Sequence, residues 1–242
     1  MFSKLSIVLL AVALSTPPGA GASEQHQRGD DAVAIAFIKE IQSGHSAYTA
    51  AKSATFFKEL SKGQKPRAAI VTCSDSRVHS KMWDKTPEGD LFMIRNIGNQ
   101  LSTSLGSVQY GVNHLNASLL LIVGHSRCGA ITAASGDYSA LEEPIRKELD
   151  TIRITKGNVN IDGVKTNVNN QVAAALGEWG DRVKAGELLV VGAVYDFAND
   201  MKKGAGKLNI ININGETDPA KLRSLPKPTV KPATKPDNPP PD

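Results

Sequence analysis

The 242-residue sequence lacks the features that mark several large classes of protein. Its two cysteines are too few for a disulfide-rich scaffold. Its formal net charge of +4 is too small a surplus to indicate a nucleic-acid-binding surface. No apolar run approaches the about 20 residues that a membrane-spanning helix needs. With 40% hydrophobic and 21% charged residues, the composition favours one globular domain with some additional chain.

Both ends of the chain differ in composition from its middle. Residues 1–22 have the pattern of a secretory signal peptide: Lys4, an apolar region Leu5–Leu14, helix-breaking prolines and an Ala20-Gly21-Ala22 cleavage site. A buried N-terminal helix and a membrane anchor are the alternatives. The signal pattern predicts cleavage after Ala22 and an exported protein, periplasmic or secreted. Seven of the 13 prolines lie between Pro226 and Pro241, which predicts a disordered Pro/Lys-rich tail over residues 219–242.

Between these ends, short apolar runs alternate with helical patterns. Continuous apolar runs are typical of a parallel sheet that is buried on both faces. Helical periodicity over residues 168–183 and 105–115 predicts helices that cover the sheet, with Ser104 as the N-cap of the second. We therefore predict a three-layer α/β domain over residues 23–218, with a mainly parallel β-sheet flanked by helices. The candidate strands are Ala68–Thr72, Leu91–Arg95, Ser118–Val123 and Leu188–Val194, with Leu208–Ile213 as a further, edge strand.

Three metal-ligating residue types follow two of these predicted strands. Cys73 comes directly after the first strand, and His125 and Cys128 come directly after the third. Because ligand sites in parallel sheets form beyond the carboxyl ends of the strands, both segments are expected at one place. Two thiolates and one imidazole are three good Zn²⁺ ligands that leave a fourth position free, as in catalytic zinc sites. The alternative in an exported protein is a disulfide between Cys73 and Cys128.

The motifs around these residues resemble those of the β-class carbonic anhydrases. Cys73, Asp75 and Arg77 form a Cys-x-Asp-x-Arg motif, and His125-Ser-Arg-Cys128-Gly129 forms a His-x-x-Cys-Gly motif about fifty residues later. The resemblance extends over residues 62–213. It implies a carbonic anhydrase, a lyase that hydrates CO₂ reversibly to bicarbonate and a proton by zinc-hydroxide attack.

The resemblance also assigns roles around the metal. Cys73, His125 and Cys128 would bind Zn²⁺, and Asp75 would accept a hydrogen bond from the zinc-bound hydroxide while Arg77 holds its carboxylate. Because two thiolates offset the charge of the ion, we expect activity to rise above neutral pH.

Further residues match the substrate-binding positions of the family. Gln64 matches a glutamine that donates a hydrogen bond to a substrate oxygen. Phe92, Ile97 and Tyr110 match residues that line a narrow apolar pocket for CO₂, and Gly129 would keep the backbone close to the metal uncrowded.

The resemblance leaves some points open. Ile70 stands where one branch of the family has a tryptophan of a regulatory bicarbonate site, so the chain resembles the other branch, which has the plant-type active site. Related proteins hydrolyse CS₂ or COS, and a third reading is a non-catalytic zinc-binding protein whose site Asp75 closes. Family members are homodimers or higher homo-oligomers, and the helical pattern of residues 31–42 predicts a helix that packs on the partner.

Overall fold

The computed structural model describes residues 31–224. The predicted signal peptide, residues 1–22, and the predicted tail beyond residue 224 lie outside the described part of the chain. The chain divides into two compact units, one that ends at Phe57 and one that begins at Lys58. Among the described residues, no helix is both long enough and apolar enough to cross a bilayer.

The first unit consists of helix α1, Asp31–Ala50, and the start of helix α2, Ala54–Leu60. The predicted helix over residues 31–42 is confirmed, and it continues for two further turns. Ser53 precedes α2, and its hydroxyl accepts a hydrogen bond from the Phe56 amide at 3.1 Å, which is an N-cap contact. The exposed side chains of α1 include five large apolar ones: Val33, Ile35, Phe37, Ile38 and Ile41.

The second unit contains a five-stranded sheet in the order β2-β1-β3-β4-β5. The first four strands in this order are parallel, and β5 is antiparallel to β4, so the predicted mainly parallel sheet flanked by helices is confirmed. Its strands are β1 Ala68–Cys73, β2 Leu91–Asn96, β3 Leu119–His125, β4 Leu189–Asp196 and β5 Lys207–Ile213. Its further helices are α3 Leu105–Gln109, α4 Gly129–Ser135, α5 Glu143–Leu149, α6 Ile161–Lys184 and α7 Pro219–Ser224, with a π-helix at Tyr110–His114.

Helix α6 packs closely against one face of the central strands. Gly124 of β3 and Gly192 of β4 face this helix, and a Cβ atom at either position would lie within 3.0 Å of valine methyl groups of α6. Both glycines therefore allow an approach that any larger side chain would prevent. The close packing brings α6 over the carboxyl ends of β1 and β3, where the candidate site lies.

Several local predictions differ from the structure. Cys73 and His125 are the last residues of β1 and β3 and do not follow them. Ser104 makes no capping hydrogen bond, because its hydroxyl accepts instead from the Asn96 side-chain amide at 2.9 Å. The helix predicted over residues 105–115 is a short α-helix that continues as a π-helix. Residues 219–224, placed in the disordered tail, form α7.

Candidate metal centre

The three predicted metal ligands meet at the carboxyl ends of β1 and β3. One ligand atom from each of Cys73, His125 and Cys128 lies within 4.8 Å of the other two, and all three residues are buried. The cysteines are free thiols, so the structure does not support the alternative of a disulfide. The arrangement is a compact set of two sulfur donors and one nitrogen donor.

The backbone around His125 fixes which ring nitrogen faces the cluster. Its Nδ1 lies 3.0 Å from the Ser126 carbonyl oxygen. Because a carbonyl oxygen can only accept a hydrogen bond, Nδ1 carries the proton and is the donor. This leaves Nε2 as the unprotonated nitrogen. Nε2 is fully buried and has no hydrogen-bond partner. A buried nitrogen lone pair without a partner is energetically costly, and a bound metal ion would supply that partner.

Cys128 is placed by the turn between β3 and α4. Arg127 has a left-handed backbone with a φ of 53°, and Cys128 is the N-cap residue of α4. The N-terminus of a helix favours negative charge, and the backbone amides of Ala130 and Ile131 act to lower the pKa of the Cys128 thiol. The turn therefore suits a thiolate.

The two thiols interact strongly with each other. A hydrogen bond from Cys128 lowers the pKa of Cys73 to about 4, against the opposing effect of burial. The same hydrogen bond, together with burial and the nearby Cys73 charge, raises the pKa of Cys128 above its usual range. One thiolate thus forms readily, and loss of the second proton requires a cation to replace it.

Asp75 and Arg77 form a close ion pair beside this cluster. Arg77 Nε donates to Asp75 Oδ1 at 2.8 Å, and Arg77 Nη2 donates to Asp75 Oδ2 at 2.6 Å. These bonds hold the pKa of the Asp75 carboxyl well below its usual range, although partial burial opposes them. Asp75 Oδ2 also lies 3.7 Å from His125 Nε2. An ionised acceptor therefore stands next to the ligand set.

Sequence reasoning missed Arg95, which supports the turn that carries Asp75. From the end of β2, its guanidinium donates to the carbonyl oxygens of Cys73 at 3.1 Å and Asp75 at 2.7 Å. Arg95 lies within residues 62–213, over which the chain resembles the family, and this was the available signal, but its partners could not be read from the sequence.

A buried amide network, also missed, holds the loop after β2. Gln100 Nε2 donates to the Gly98 carbonyl at 2.6 Å, and Asn167 Nδ2 of α6 donates to the same oxygen at 2.9 Å. The Gly98 amide in turn helps to lower the pKa of the Cys73 thiol. The network thus connects α6 to a metal-ligand residue.

The predicted pocket residues occupy three separate places in the described chain. Ile97 packs against the apolar cluster that contains Cys73 and Cys128. Phe92 and Tyr110 contact each other, with ring centres 5.9 Å apart, and Phe92 packs against a different apolar cluster. Gln64 is exposed in the turn before β1.

Gly129 begins α4 directly after Cys128. A Cβ atom there would meet no atom of this chain within 4 Å, so crowding within one chain does not explain the glycine.

The chemistry of the donor set fits Zn²⁺. Two cysteine sulfurs and one imidazole nitrogen are a three-ligand set of catalytic zinc sites, which leaves one tetrahedral position free. A divalent cation would give the buried His125 Nε2 a partner and would favour loss of the protons of both thiols.

Comparison with known proteins agrees with this geometry. Residues 68–202 match the family model described as carbonic anhydrase. Carbonic anhydrase 2 of Mycobacterium tuberculosis is 28% identical over 183 residues, which cover 67% of this chain and 88% of that protein. A carbonic anhydrase of Helicobacter pylori is 31% identical over 137 residues, 47% of this chain and 61% of that protein.

Solved structures share the fold. A tetrameric β-carbonic anhydrase of Sordaria macrospora superposes with a TM-score of 0.58 at 23% identity, covering 74% of this chain and 97% of that one. The β-carbonic anhydrase of Coccomyxa superposes with a TM-score of 0.60 at 22% identity, covering 78% of this chain and 90% of that one.

Proposed function

The chain belongs to the β-carbonic anhydrase family, and on this premise we propose that it catalyses the reversible hydration of CO₂ to bicarbonate and a proton. One observation carries the proposal. The buried donors of Cys73, His125 and Cys128 converge within 4.8 Å, and the ionised Asp75 carboxylate lies beside them. A metal site without chemistry that Asp75 closes would need this carboxylate as a ligand, but it would have no use for the ion pair that binds both Asp75 oxygens to Arg77.

Cys73, His125 and Cys128 would hold the zinc ion. When bound, Zn²⁺ acts as a Lewis acid that makes a nucleophilic oxygen available from water near neutral pH. The thiolates of Cys73 and Cys128 offset most of the charge of a divalent cation. We therefore expect kcat/KM for CO₂ hydration to increase between pH 6 and pH 9, and a flat profile would contradict this.

Asp75 and Arg77 would orient the attacking oxygen. The ionised Asp75 carboxylate can only accept hydrogen bonds. A water-derived nucleophile near His125 can therefore donate a hydrogen bond to Oδ2, which directs an oxygen lone pair at the substrate carbon. Arg77 holds both carboxylate oxygens, which keeps Asp75 ionised and fixes its direction. The proton released on forming bicarbonate passes to solvent.

The apolar residues would receive the substrate. CO₂ is linear and uncharged, so an apolar lining around Ile97, Phe92 and Tyr110 suits it better than charged bicarbonate, which favours product release. Gln64 would donate to a substrate oxygen. These assignments rest on the family resemblance, in which the pocket lies at a subunit interface.

The experiment combines metal analysis with stopped-flow CO₂ hydration for three proteins. The wild type is expected to contain one zinc per chain and to hydrate CO₂. Arg77→Ala is expected to retain zinc but to lose about 100-fold or more in kcat/KM, because the carboxylate is no longer oriented. Cys128→Ser is expected to lose both zinc and activity.

The chain offers a matched control for the arginine variant. Arg67 also binds an aspartate, Asp90, through two guanidinium nitrogens, but this pair stands at the start of β1, outside the metal centre. Arg67→Ala should therefore retain CO₂ hydration. Full activity in Arg77→Ala would remove the proposed role of the pair. Sulfide release from CS₂ or COS without CO₂ hydration would show that CO₂ is not the substrate.

We further propose that the protein is exported to the periplasm or secreted, and that it assembles as a homodimer or a larger homo-oligomer. The composition of residues 1–22 supports export, and the exposed apolar side chains of α1 support assembly. N-terminal sequencing of the protein from its native cells should begin after Ala22. Sedimentation equilibrium should give at least twice the mass of the mature chain; a monomer at micromolar concentration would overturn the assembly.

A further inference from the structure

An aromatic side chain that the resemblance does not assign lies against the Asp75–Arg77 pair. Phe197 follows the last residue of β4, and its ring centre is 4.7 Å from the guanidinium carbon of Arg77. The same ring is stacked with the His125 imidazole, with centres 5.9 Å apart and planes 25° apart. Phe197 thus contacts both a predicted metal ligand and the arginine that orients Asp75.

The backbone on either side holds Phe197 in this place. The buried Asp196 carboxylate accepts hydrogen bonds from the amides of Asp200 at 3.0 Å and Met201 at 2.7 Å. On the other side, the Ala198 amide donates to the Ser126 hydroxyl at 3.2 Å. These hydrogen bonds fix the backbone on both sides of Phe197, so the fold sets the position of its ring.

Arg77 needs a contact of this kind, because half of its side chain is exposed. Exposed ion pairs contribute little by themselves, since water and salt compete for both partners. Within residues 31–224, the Arg77 side chain has one further hydrogen-bond partner besides Asp75, the Arg127 carbonyl, which accepts from Nη2 at 3.2 Å. The flat face of Phe197 can hold the planar guanidinium in one orientation without competing for its hydrogen-bond donors.

We propose that Phe197 is a positioning residue for CO₂ hydration, whose ring holds the Arg77 guanidinium in the plane that binds both oxygens of Asp75. The inference rests on the proposed function and adds a residue to it. Leucine at this position would fill much of the same apolar space without an aromatic face. Tyrosine would retain the face. The two substitutions therefore separate the contact with the cation from simple packing.

The test compares Phe197→Leu, Phe197→Tyr and the wild type, each loaded with zinc. For Phe197→Leu we expect kcat/KM to fall about 3- to 10-fold, the range that loss of a cation–π contact supplies, with an unchanged zinc content. Phe197→Tyr should remain within about twofold of the wild type. Tyr138→Leu is the matched control, because its ring also lies near a cation, Lys156, at 5.7 Å, and neither residue belongs to the site.

A second measurement does not depend on activity. In ¹H–¹⁵N spectra, a proton above an aromatic face resonates upfield, so the Nε–H signal of Arg77, assigned by its loss in Arg77→Lys, should move downfield in Phe197→Leu. It should also exchange faster with water. In Phe197→Tyr, both properties should stay close to those of the wild type.

Three outcomes would overturn the proposal. They are an unchanged kcat/KM and Arg77 signal in Phe197→Leu, a loss that Phe197→Tyr does not restore, and an equal loss in Tyr138→Leu. If the wild type itself fails to hydrate CO₂, the proposed function is wrong, and the Arg77 signal still decides whether Phe197 positions the guanidinium.

Discussion

The buried Gln100 side chain allows a quantitative test of how the fold supports the metal centre. Gln100 is fully buried in the loop after β2. Its Nε2 donates to the Gly98 carbonyl at 2.6 Å and to Asn167 Oδ1 at 2.9 Å. Its Oε1 accepts from Thr151 Oγ1 at 3.1 Å and from Gln171 Nε2 at 2.9 Å. The side chain thus makes four hydrogen bonds, of which three are buried and the one from Thr151 is partly buried.

Gln100→Leu removes these four bonds while retaining a side chain of similar length. Two of the partners keep other bonds: the Gly98 carbonyl still accepts from Asn167 Nδ2 at 2.9 Å, and Thr151 still donates to the Glu148 carbonyl at 2.7 Å. Asn167 and Gln171 keep their bonds to the Gly98 carbonyl and the Leu101 amide, but within the described residues the atoms Asn167 Oδ1 and Gln171 Nε2 retain only each other, at 3.4 Å. At about 1 kcal/mol for each lost bond, partly offset by the apolar leucine, we expect a loss of about 2–4 kcal/mol in the free energy of unfolding.

The assay is urea unfolding of the metal-free protein, so that zinc binding does not contribute to the measured stability. The control is Gln109→Leu, a glutamine that makes one exposed hydrogen bond, to Glu178 at 2.8 Å. That change should stay within about 0.5 kcal/mol of the wild type. Since the Gly98 amide helps to lower the pKa of the Cys73 thiol, Gln100→Leu should also bind zinc more weakly in competition with a chelator.

The result that would refute this reasoning is a Gln100→Leu variant no less stable than Gln109→Leu. The loop would then be held by something other than the amide network. A destabilised variant with unchanged zinc affinity would refute only the link from Gly98 to Cys73.

Two further predictions concern the fold. Arg67 lowers the pKa of the Asp90 carboxyl, so this ion pair stabilises the protein above the unfolded-state pKa, near 4, and its contribution is lost as the pH falls below that value. Asp90→Asn should therefore lower the stability of the protein at pH 7 but not near pH 2, as measured by acid titrations followed by circular dichroism. An equal loss at both pH values would contradict this. Gly192→Ala should cost about 1–3 kcal/mol in urea unfolding, because its Cβ would overlap valine methyl groups of α6, whereas Gly177→Ala, where there is open space, should not destabilise. Equal stabilities for the two would show that α6 can shift.

The sequence alone determined the sheet and the ligand set. Short apolar runs predicted all five strands to within about two residues at each end, because strands buried on both faces have continuous apolar sequences. Cys73, His125 and Cys128 were identifiable because few residue types bind zinc and because parallel strands end at the same edge of a sheet. The roles of Asp75 and Arg77 came from the resemblance of the Cys-x-Asp-x-Arg motif to that of the family.

Local details near these elements were less predictable. Serine is a residue type typical of N-caps, but the Ser104 hydroxyl accepts a hydrogen bond from the Asn96 side-chain amide instead. The helical pattern after it did not show where α-helix becomes π-helix. In both cases a contact or a packing requirement from outside the segment decides the local geometry, and propensity is only a weak guide to such contacts.

Only the tertiary structure decided what supports the site. Arg95, Phe197 and the Gln100–Asn167 network act through partners that are distant in the sequence, and each residue type by itself is ordinary at its position. Ligand chemistry resides in the residue type and a short spacing, so it can be read along the chain. Orientation depends on which surfaces pack together, and that follows from the whole fold.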